Sequence, residues 1–261
     1  MADAVSPPLR RRLLVIGIGA GHPDQLTIQA IEAMNRADMF FIPEKGAEAA
    51  DLARIRREIC ARYIREPGFR LVPYAMPRRA RKGDYAEGVG HWHEAIADQF
   101  AAFLADELPA DQCGAFLIWG DPSLYDSTLR ILARLEASGR FVFDLDVIPG
   151  ISAPQALAAR HKVALNAIGA PLMVTPGRRL AEGATGEADG IVVMLDVAVA
   201  LRAADPELDL YWAANLGLPD ETLVSGRLGS VVEEIETLRT ALRAKNGWIF
   251  ETALLRKPLN D

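Results

Sequence analysis

The stretch WGDPSLYDSTLRIL (residues 119–132) joins two patterns of different period. It overlaps the end of the apolar run AFLIWG (residues 115–120), which is typical of a strand buried on both faces. Its second part places leucines at helical spacing, and Gly139 is a natural C-cap for the predicted helix. Gly120 and Pro122 predict a tight turn between the strand and the helix. Because open α/β sheets bind ligands at the carboxyl ends of their strands, this turn is the first candidate binding loop.

The first half of the chain alternates strand-like and helical stretches around this turn. LLVIGIG (residues 13–19) precedes a helical pattern at 26–37, and MFFI (39–42) precedes a second one, which extends to Tyr63. Such alternation predicts a mostly parallel sheet with flanking helices. We expect the Pro- and Arg-rich segment at 72–85 to be a loop.

The second half of the chain predicts a different sheet. FVFDLDVIPG (residues 141–150) alternates apolar and polar residues, and four further strand-like runs follow it with fewer helices between them. This spacing predicts a mixed sheet, and one of its helices is expected to begin at a capping box of Ser230 and Glu233. The chain is therefore expected to be an α/β protein with a disordered tail and two α/β domains, at residues 1–10, 11–140 and 141–261.

The composition limits the classes of function. The chain has 261 residues and a net charge of −6, which argues against broad electrostatic binding to nucleic acid or to an anionic membrane. No apolar run approaches the ~20 residues of a membrane span. Glycines break the apolar stretch near the N-terminus, so that stretch does not predict a signal peptide. Cys60 and Cys113 have no spaced partner, so we expect no disulfide framework and a cytoplasmic protein.

The glycine-rich loop GIGAGHPDQLT (residues 17–27) leaves two interpretations open. It can be a plain turn between a strand and a helix, in which Asp24 caps the helix. It can also be a variant of the dinucleotide-binding pattern GxGxxG, with His22 in place of the last glycine and Glu44 as the acid that binds a ribose. The second interpretation predicts an NAD-dependent oxidoreductase.

A second strand also ends in a tight turn, within VIPGISAPQALAA (residues 147–159). Ser152 is placed to cap the helix that follows this turn. In the first turn, Asp121 can cap the chain or accept hydrogen bonds from a ribose or an amino group. We expect these two loops and the glycine-rich loop to converge on one cleft.

Four stretches of the chain occur in an order that resembles one known family, the tetrapyrrole methylases, which use S-adenosylmethionine (SAM) in cobalamin biosynthesis. They are GIGAGHPDQLT, WGDPSLYD, VIPGISA and NLGLPDE (residues 215–221), and the resemblance covers residues 13 to about 255. With TPGRRLAEG and VVMLD, the chain is most similar to the members that methylate precorrin-5 at carbon 1 and release its acetyl group as acetate, which gives precorrin-6A. The resemblance implies this activity, two α/β domains with SAM in the cleft between them, and a homodimer.

The resemblance also assigns residues to the two ligands. In the family, SAM lies against the GDP loop and the residues after the second Pro-Gly pair, whereas the first glycine loop faces the tetrapyrrole. Gly19 and Gly21 are therefore expected to bind the substrate. The residues expected to bind SAM are Gly120, Asp121, Leu124, Ser152, Ala153, Leu195 and Leu216.

The two chemical steps make different demands on the protein. Methyl transfer to an electron-rich ring carbon requires alignment more than acid–base catalysis. Loss of the acetyl group requires water to reach a carbonyl, with the help of a base or an oxyanion donor. His22, Glu44 and Tyr125 lie in loops that could face the substrate and are the candidate catalytic residues. Each has an alternative interpretation as a solvated or capping residue.

Basic residues are candidates for binding the carboxylates of the substrate. Arg178 and Arg179 follow a strand-to-turn switch, and arginine can bind a carboxylate with two parallel hydrogen bonds. The run PRRARK (residues 77–82) has the same chemistry, with a solvated loop as its alternative. For both groups, ion pairs with the chain's own acidic residues are a further possibility.

His91 and His93 are two residues apart with no Cys or third His nearby, so no metal site is predicted. We expect both histidines at a solvated helix start.

Three rival functions are compatible with the sequence. The protein could be a tetrapyrrole methylase that acts at another ring position, or a relative that acts on protein or RNA, although its negative charge argues against RNA. It could be the NAD-dependent oxidoreductase of the dinucleotide interpretation. It could also be a non-catalytic protein that binds SAM without turnover.

Overall fold

The chain divides into two compact units. The first contains the chain up to Gly19 together with Gln25–Gly150, and the second contains Ala20–Asp24 together with the chain from Ile151. The segment Ala20–Asp24 therefore packs with the second unit, although it lies between two parts of the first along the sequence. The computed structural model describes residues 7–44, 50–77, 85–183 and 188–258, with the backbone alone at 50–51 and 85–89.

The first unit is a parallel sheet flanked by helices. Its strand order is β3-β2-β4-β1-β5, and every neighbouring pair is parallel. The central strand β4 is buried along its whole length, as the run AFLIWG predicts, and β1 beside it is buried from Leu13 to Gly17 after three arginines near its start. The strands are β1 (Leu9–Gly17), β2 (Met39–Glu44), β3 (Arg70–Ala75), β4 (Cys113–Ile118) and β5 (Phe141–Ile148). The helices are α1 (Ile28–Met34), α2 (Ala50–Tyr63), α3 (Tyr85–Asp106) and α4 (Thr128–Ala137).

Aromatic rings fix α3 to this sheet. Phe103 stacks on Phe41 with ring centroids 4.4 Å apart, and Phe100 stacks on Phe116 at 4.8 Å. All four side chains belong to one buried apolar cluster. Burial of each such side chain contributes about 1.5–3 kcal/mol. This packing fixes the positions of the strands, and the strands in turn fix the loops that follow their carboxyl ends, where open α/β sheets bind ligands.

The second unit is built on a mixed sheet. Its strand order is β6-β7-β10-β8-β9, in which β6 and β7 are parallel and the other pairs are antiparallel. The two sheets confirm the predicted α/β class, parallel in the first half and mixed in the second. The strands are β6 (Leu172–Thr175), β7 (Gly190–Val193), β8 (Asp209–Ala214), β9 (Thr222–Arg227) and β10 (Glu251–Arg256). The helices are α5 (Ala153–His161), α6 (Gly177–Ala181), α7 (Val197–Ala203) and α8 (Leu228–Asn246).

The boundary between the units differs from the predicted position at residue 140. Strand β5 pairs with β1 from Leu9↔Phe141 to Ile16↔Ile148, so it completes the first sheet. The first unit therefore extends to Gly150. Of the disordered tail predicted at residues 1–10, Leu9 and Arg10 belong instead to β1, and residues 1–6 lie outside the described residues.

Two local predictions in the first unit were wrong. The segment at 72–85 is not all loop, because its start belongs to β3, where Pro73 is tolerated since an edge strand leaves one row of amides unpaired. His91 and His93 lie inside α3, which begins at Tyr85, and not at a helix start. The basic run after Pro77 lies outside the described residues.

Two predicted helix caps are replaced by other residues. Helix α1 is capped by Thr27, whose side chain accepts a hydrogen bond from the N–H of Ala30, and not by Asp24. Helix α8 begins at Leu228, because β9 leads directly into it, so Ser230 lies inside the helix.

No helix in the described part of the chain is both long enough and apolar enough to cross a lipid bilayer.

Candidate functional site

Three glycines meet at the carboxyl end of the parallel sheet. Gly17 ends β1, Gly120 follows β4 and Gly150 follows β5. A Cβ atom on Gly17 would lie 2.6 Å from the nitrogen of Gly150, and one on Gly150 would lie 2.2 Å from the oxygen of Gly120. Both distances are shorter than real contacts, so the strand ends can approach this closely only without side chains. Gly120 also has a left-handed backbone, with φ of 71°.

The GDP loop is also paired to the glycine-rich loop. The N–H of Gly120 donates to the carbonyl of Gly19 at 2.8 Å, and the N–H of Gly19 donates back to Gly120 at 3.3 Å. The two residues form an isolated antiparallel bridge. The main chain of Gly19 is therefore occupied by the neighbouring loop.

Asp121 fastens the GDP loop to the loop after β5. Its Oδ2 accepts a hydrogen bond from the N–H of Gly150 at 2.9 Å. Its Oδ1 accepts one from the N–H of Ser123 at 2.8 Å and another from the Ser123 hydroxyl. Burial alone would raise the pKa of Asp121, but these hydrogen bonds outweigh it and hold that pKa below its ordinary value. The carboxylate is thus ionised and directed at its own chain.

The end of the same loop has an unusual backbone. Tyr125 has φ of 55°, a left-handed conformation that costs a non-glycine residue on the order of 1–3 kcal/mol. The residue is 41% exposed. The next residue, Asp126, accepts a hydrogen bond from the N–H of Thr128 at 2.7 Å and so caps α4. Leu124 is half-buried in the same turn.

Glu44 ends β2 and forms an ion pair with Arg57 of α2. Its carbonyl accepts a hydrogen bond from the N–H of Met76, just after β3, at 3.1 Å. Both side chains of the ion pair are about half exposed. The carboxylate of Glu44 therefore has a partner within the protein. If Glu44 takes part in the reaction, it does so while paired with Arg57.

A buried arginine lies at this end of the sheet and was missed by the sequence analysis. Arg56 of α2 is 8% exposed and donates to the carbonyl of Leu117 in β4. Its spacing could have revealed it, because it lies four residues after Leu52 and three before Ile59 on the apolar face of the helix.

The second unit brings the glycine-rich segment against NLGLPDE. A Cβ atom on Gly21 would lie 2.3 Å from the carbonyl oxygen of Leu216, and one on Gly217 would lie 2.4 Å from the nitrogen of His22. Gly217 has a left-handed φ of 73°. Only glycine allows these two segments to come so close.

Asn215 holds the NLG turn in place. It is fully buried and left-handed, with φ of 52°. Its Oδ1 accepts a hydrogen bond from the N–H of Phe250 at 3.1 Å, and its Nδ2 donates to Asp220 at 2.8 Å. Every polar group of this side chain is therefore used to orient the turn.

His22 is exposed at the edge of this turn. Its Nδ1 accepts a hydrogen bond from the N–H of Asp24 at 3.1 Å. A ring nitrogen that accepts an N–H carries no proton, so in the neutral ring Nε2 bears it. His22 can therefore offer a donor through Nε2.

The four candidate SAM residues of the second unit differ in exposure. Ser152 is buried at the N-cap position of α5, but its hydroxyl bonds to the side chain of Gln155 and not to the helix. Ala153 and Leu216 pack in one apolar cluster, and Leu216 is only 5% exposed, so it can contact a ligand mainly through its backbone. Leu195 is 43% exposed, and its carbonyl accepts a hydrogen bond from Gly177.

Arg178 and Arg179 lie in α6, where both already have acidic partners. Arg178 forms an ion pair with Asp196 at 2.8 Å, and Arg179 forms one with Glu182 at 2.8 Å. Asp196 is left-handed, with φ of 55°. A substrate carboxylate would have to compete with these partners.

The dinucleotide interpretation of the glycine loop is wrong. In that fold the glycines lead straight into a helix N-terminus, whereas here a 3-10 turn at Pro23–Gln25 intervenes and α1 begins at Ile28. In addition, β2 pairs with β4 and not with β1.

Within the described ranges, no group of three or more His, Cys, Asp or Glu residues could hold a metal ion.

Known proteins match this chain in sequence and in fold. The family model "Tetrapyrrole (Corrin/Porphyrin) Methylases" matches residues 12–232. The chain is 49% identical, over 95% of both chains, to "Precorrin-6A synthase [deacetylating]" of Sinorhizobium sp. It is 29% identical, over 54% of both chains, to a precorrin-2 C(20)-methyltransferase of the same source.

Solved structures agree with these matches. A putative cobalamin synthesis related protein (CobF) from Corynebacterium diphtheriae is 34% identical, with a TM-score of 0.80 over 95% of this chain and 99% of that one. A uroporphyrin-III C-methyltransferase from Thermus thermophilus, solved with S-adenosyl homocysteine, is 16% identical and shares the fold, with a TM-score of 0.55 over 94% and 92%. The predicted class of enzyme, a methyltransferase, and its cofactor, SAM, are confirmed. The chain belongs to the tetrapyrrole (corrin/porphyrin) methylases.

Proposed function

We propose that this methylase converts precorrin-5 to precorrin-6A, by methylating carbon 1 and releasing the acetyl group as acetate. The observation that carries the proposal is the 49% identity, over 95% of both chains, to a relative whose name states the product and the deacetylation. With 249 of the 261 residues aligned, the match spans the part of the chain that contains the loops GDP, PGIS and NLG.

We propose that SAM binds the residues that the resemblance assigns to it. Gly120 offers backbone without a side chain, and Leu124 offers an apolar wall beside it. In the second unit the proposed contacts are Ser152, Ala153, the exposed side chain of Leu195 and the backbone of Leu216. Asp121 acts on SAM by fixing the GDP loop, since both of its oxygens bind the protein's own N–H groups.

The protein's contribution to methyl transfer is alignment. SAM supplies an activated methyl group on a sulfonium when it is bound. An in-line displacement requires the methyl group and the attacking carbon to be held about 3–3.5 Å apart. The glycine contacts and the Asp121 hydrogen bonds keep the GDP loop and the loop after β5 in one arrangement, which favours such alignment.

Acetyl release requires a donor or a base near a carbonyl. We propose that one of His22, Glu44 and Tyr125 provides it. His22 can donate through Nε2, and Tyr125 is 41% exposed and has a left-handed backbone. Glu44 could act as a base only from its ion pair with Arg57.

The substrate is proposed to contact the glycine-rich loop and α6. At Gly19 and Gly21 no side chain blocks the approach of a ligand, and both residues are held by neighbouring segments, Gly19 through hydrogen bonds of its N–H and C=O to Gly120. Arg178 and Arg179 are proposed to bind carboxylates of the ring, exchanging Asp196 and Glu182 for the ligand.

We also propose that the enzyme is a cytoplasmic homodimer. The two cysteines are free and buried, which fits a reducing compartment. Sedimentation equilibrium over a range of concentrations tests the dimer, and a mass equal to one chain at all of them contradicts it.

The reaction is tested by incubating the protein with SAM and precorrin-5. Mass spectrometry should show a product that has gained a methyl group and lost an acetyl group, together with free acetate. A methylated product that retains its acetyl group would assign the enzyme to another ring position. Binding of SAM without any product would leave a ligand-binding protein and overturn the proposal.

A further inference from the structure

Arg56 is a buried cation that the proposed reaction does not yet use. It lies on the apolar face of α2, with 8% of its surface exposed. A guanidinium in such surroundings normally has a carboxylate partner, because burying an unpaired charge is costly. Among the residues that the structure describes, no carboxylate forms an ion pair with Arg56.

The contacts of Arg56 hold it in one orientation. Its Nε donates to the carbonyl of Leu117 at 2.9 Å, and its Nη1 donates to the carbonyl of Leu52 at 3.2 Å. Both acceptors are uncharged. The third nitrogen, Nη2, makes no hydrogen bond to any described residue, so one arm of the guanidinium is available.

The position of Arg56 is the one at which open α/β sheets bind ligands. Leu117 is the next-to-last residue of β4 and lies three residues before Gly120. The groups that interact electrostatically with Arg56 are Tyr74, next to last in β3, and Asp126, in the loop after β4. The charge thus lies at the carboxyl ends of two strands, near the loop that carries the GDP turn.

Tyr74 does not neutralise this charge. Burial raises the pKa of its phenol, which therefore stays protonated at neutral pH. Asp126 is already bound to the N–H of Thr128 at 2.7 Å. Burial lowers the pKa of Arg56 by more than Tyr74 and Asp126 raise it, so these two groups do not fully compensate its charge.

A second buried arginine shows what a purely structural role requires. Arg11, near the start of β1, is 7% exposed and donates through Nε, Nη1 and Nη2 to the carbonyls of Leu104, Arg10 and Ala105. All three nitrogens of Arg11 are used, and the residue lies at the amino-terminal end of the sheet. Arg56, in contrast, uses only Nε and Nη1 in hydrogen bonds to described residues, and it lies near the carboxyl ends of β3 and β4.

We propose that Arg56 binds a side-chain carboxylate of the tetrapyrrole through its free Nη2. This inference rests on the proposed function, because a precorrin ring is fringed with carboxylates. Arginine suits the task, since its charge is permanent and its nitrogens are held in a planar fork. Arg56 is then a specificity-determining residue for polycarboxylate rings.

The test measures tetrapyrrole binding apart from catalysis. The probe is uroporphyrin, a fluorescent porphyrin with carboxylates on all of its side chains. Its affinity is measured for wild type, Arg56→Met, Arg56→Lys and the matched control Arg11→Met, with SAM affinity measured by calorimetry on each. Loss of a charge-assisted hydrogen bond weakens binding roughly ten- to a hundredfold. We expect this loss in Arg56→Met, a smaller loss in Arg56→Lys, and affinity within twofold of wild type in Arg11→Met.

The other possible results each decide against the role of Arg56 or against the proposed function. If the Arg56 variants bind uroporphyrin within twofold of wild type, or if wild type does not bind it, the inference is overturned. If uroporphyrin and SAM affinity fall together in the Arg56 variants, the residue is structural. Should Arg56→Met fail to fold, Arg56→Lys decides by the same criteria. A wild-type protein that binds uroporphyrin through Arg56 but does not methylate precorrin-5 overturns the proposed function alone.

Discussion

The carboxylate of Asp121 accepts a hydrogen bond from the main-chain N–H of Gly150 at 2.9 Å. The two residues are 29 positions apart, one after β4 and the other after β5. Strands β4 and β5 are not neighbours, because β1 lies between them. The Asp121 side chain therefore joins the loops after β4 and β5 across the end of β1, which is Gly17. The first two predictions follow from this link.

Asp121→Asn should weaken SAM binding. An amide has one oxygen, so asparagine can accept the hydrogen bonds of Ser123 or that of Gly150, but not both sets. We expect a loss of roughly ten- to a hundredfold in SAM affinity, measured by calorimetry. Ser123→Ala is the matched control, since it removes one donor and leaves the link to Gly150, and its loss should be smaller. Unchanged affinity in a folded Asp121→Asn protein would show that the loop does not need this link.

The same carboxyl should contribute a pH-dependent part of the stability. Its pKa is lowered in the folded protein, where hydrogen bonds from Ser123 and Gly150 outweigh burial. Its stabilisation is therefore present above the unfolded value, about 3.9, and is lost as the pH falls through the lower folded value. Urea unfolding of wild type and Asp121→Asn should differ by a constant free energy from about pH 7 to about 5, and the difference should shrink below about pH 4. A difference that grows on acidification contradicts the assignment.

Gly120→Val should abolish SAM binding. Gly120 has φ of 71°, which is strained for a β-branched residue, and it lies where the backbone is proposed to meet the ligand. Gly139→Val is the control for strain alone, because Gly139 has φ of 73° and nothing lies within 4 Å of its added Cβ. Both variants should lose stability, but only Gly120→Val should lose SAM affinity by calorimetry. Equal affinity in the two variants would place the cofactor elsewhere.

Methylation and deacetylation should be separable by mutation. Methyl transfer depends on alignment, whereas acetyl release needs a positioned group and water. Among His22→Ala, Glu44→Gln and Tyr125→Phe, one should accumulate a methylated product that keeps its acetyl group, detected by mass spectrometry. If all three release acetate in step with methylation, the hydrolytic group is none of these.

Arg178→Ala and Arg179→Ala should weaken precorrin binding and leave SAM affinity intact. Each loses one charge-assisted contact, so roughly ten- to a hundredfold weaker binding is expected, with a shallower dependence on salt. Their ion pairs are exposed and such pairs contribute about 0–1 kcal/mol, so stability should barely change. Precorrin affinity within twofold of wild type in both variants would show that these arginines do not bind the substrate.

Local patterns identified most elements and the candidate loops. Apolar runs predicted the central strands, and Gly120 with Pro122 predicted the turn after β4, because these residues restrict the backbone wherever they occur. The prediction failed at β3, where Pro73 argued against a strand. Only the position of β3 at the sheet edge makes that proline acceptable.

The sequence by itself determined the α/β class, the parallel and mixed halves, and the loops that mark the family. The tertiary structure alone decided that β5 belongs to the first sheet, that Ala20–Asp24 packs with the second unit, and that Asp121 reaches Gly150. Strand pairing uses backbone N–H and C=O groups that all residue types except proline carry, so the alternation of side chains along a strand does not predict which strand pairs with it. Close contacts such as that of Gly17 with Gly150 depend on where distant segments pack, and no local pattern carries that information.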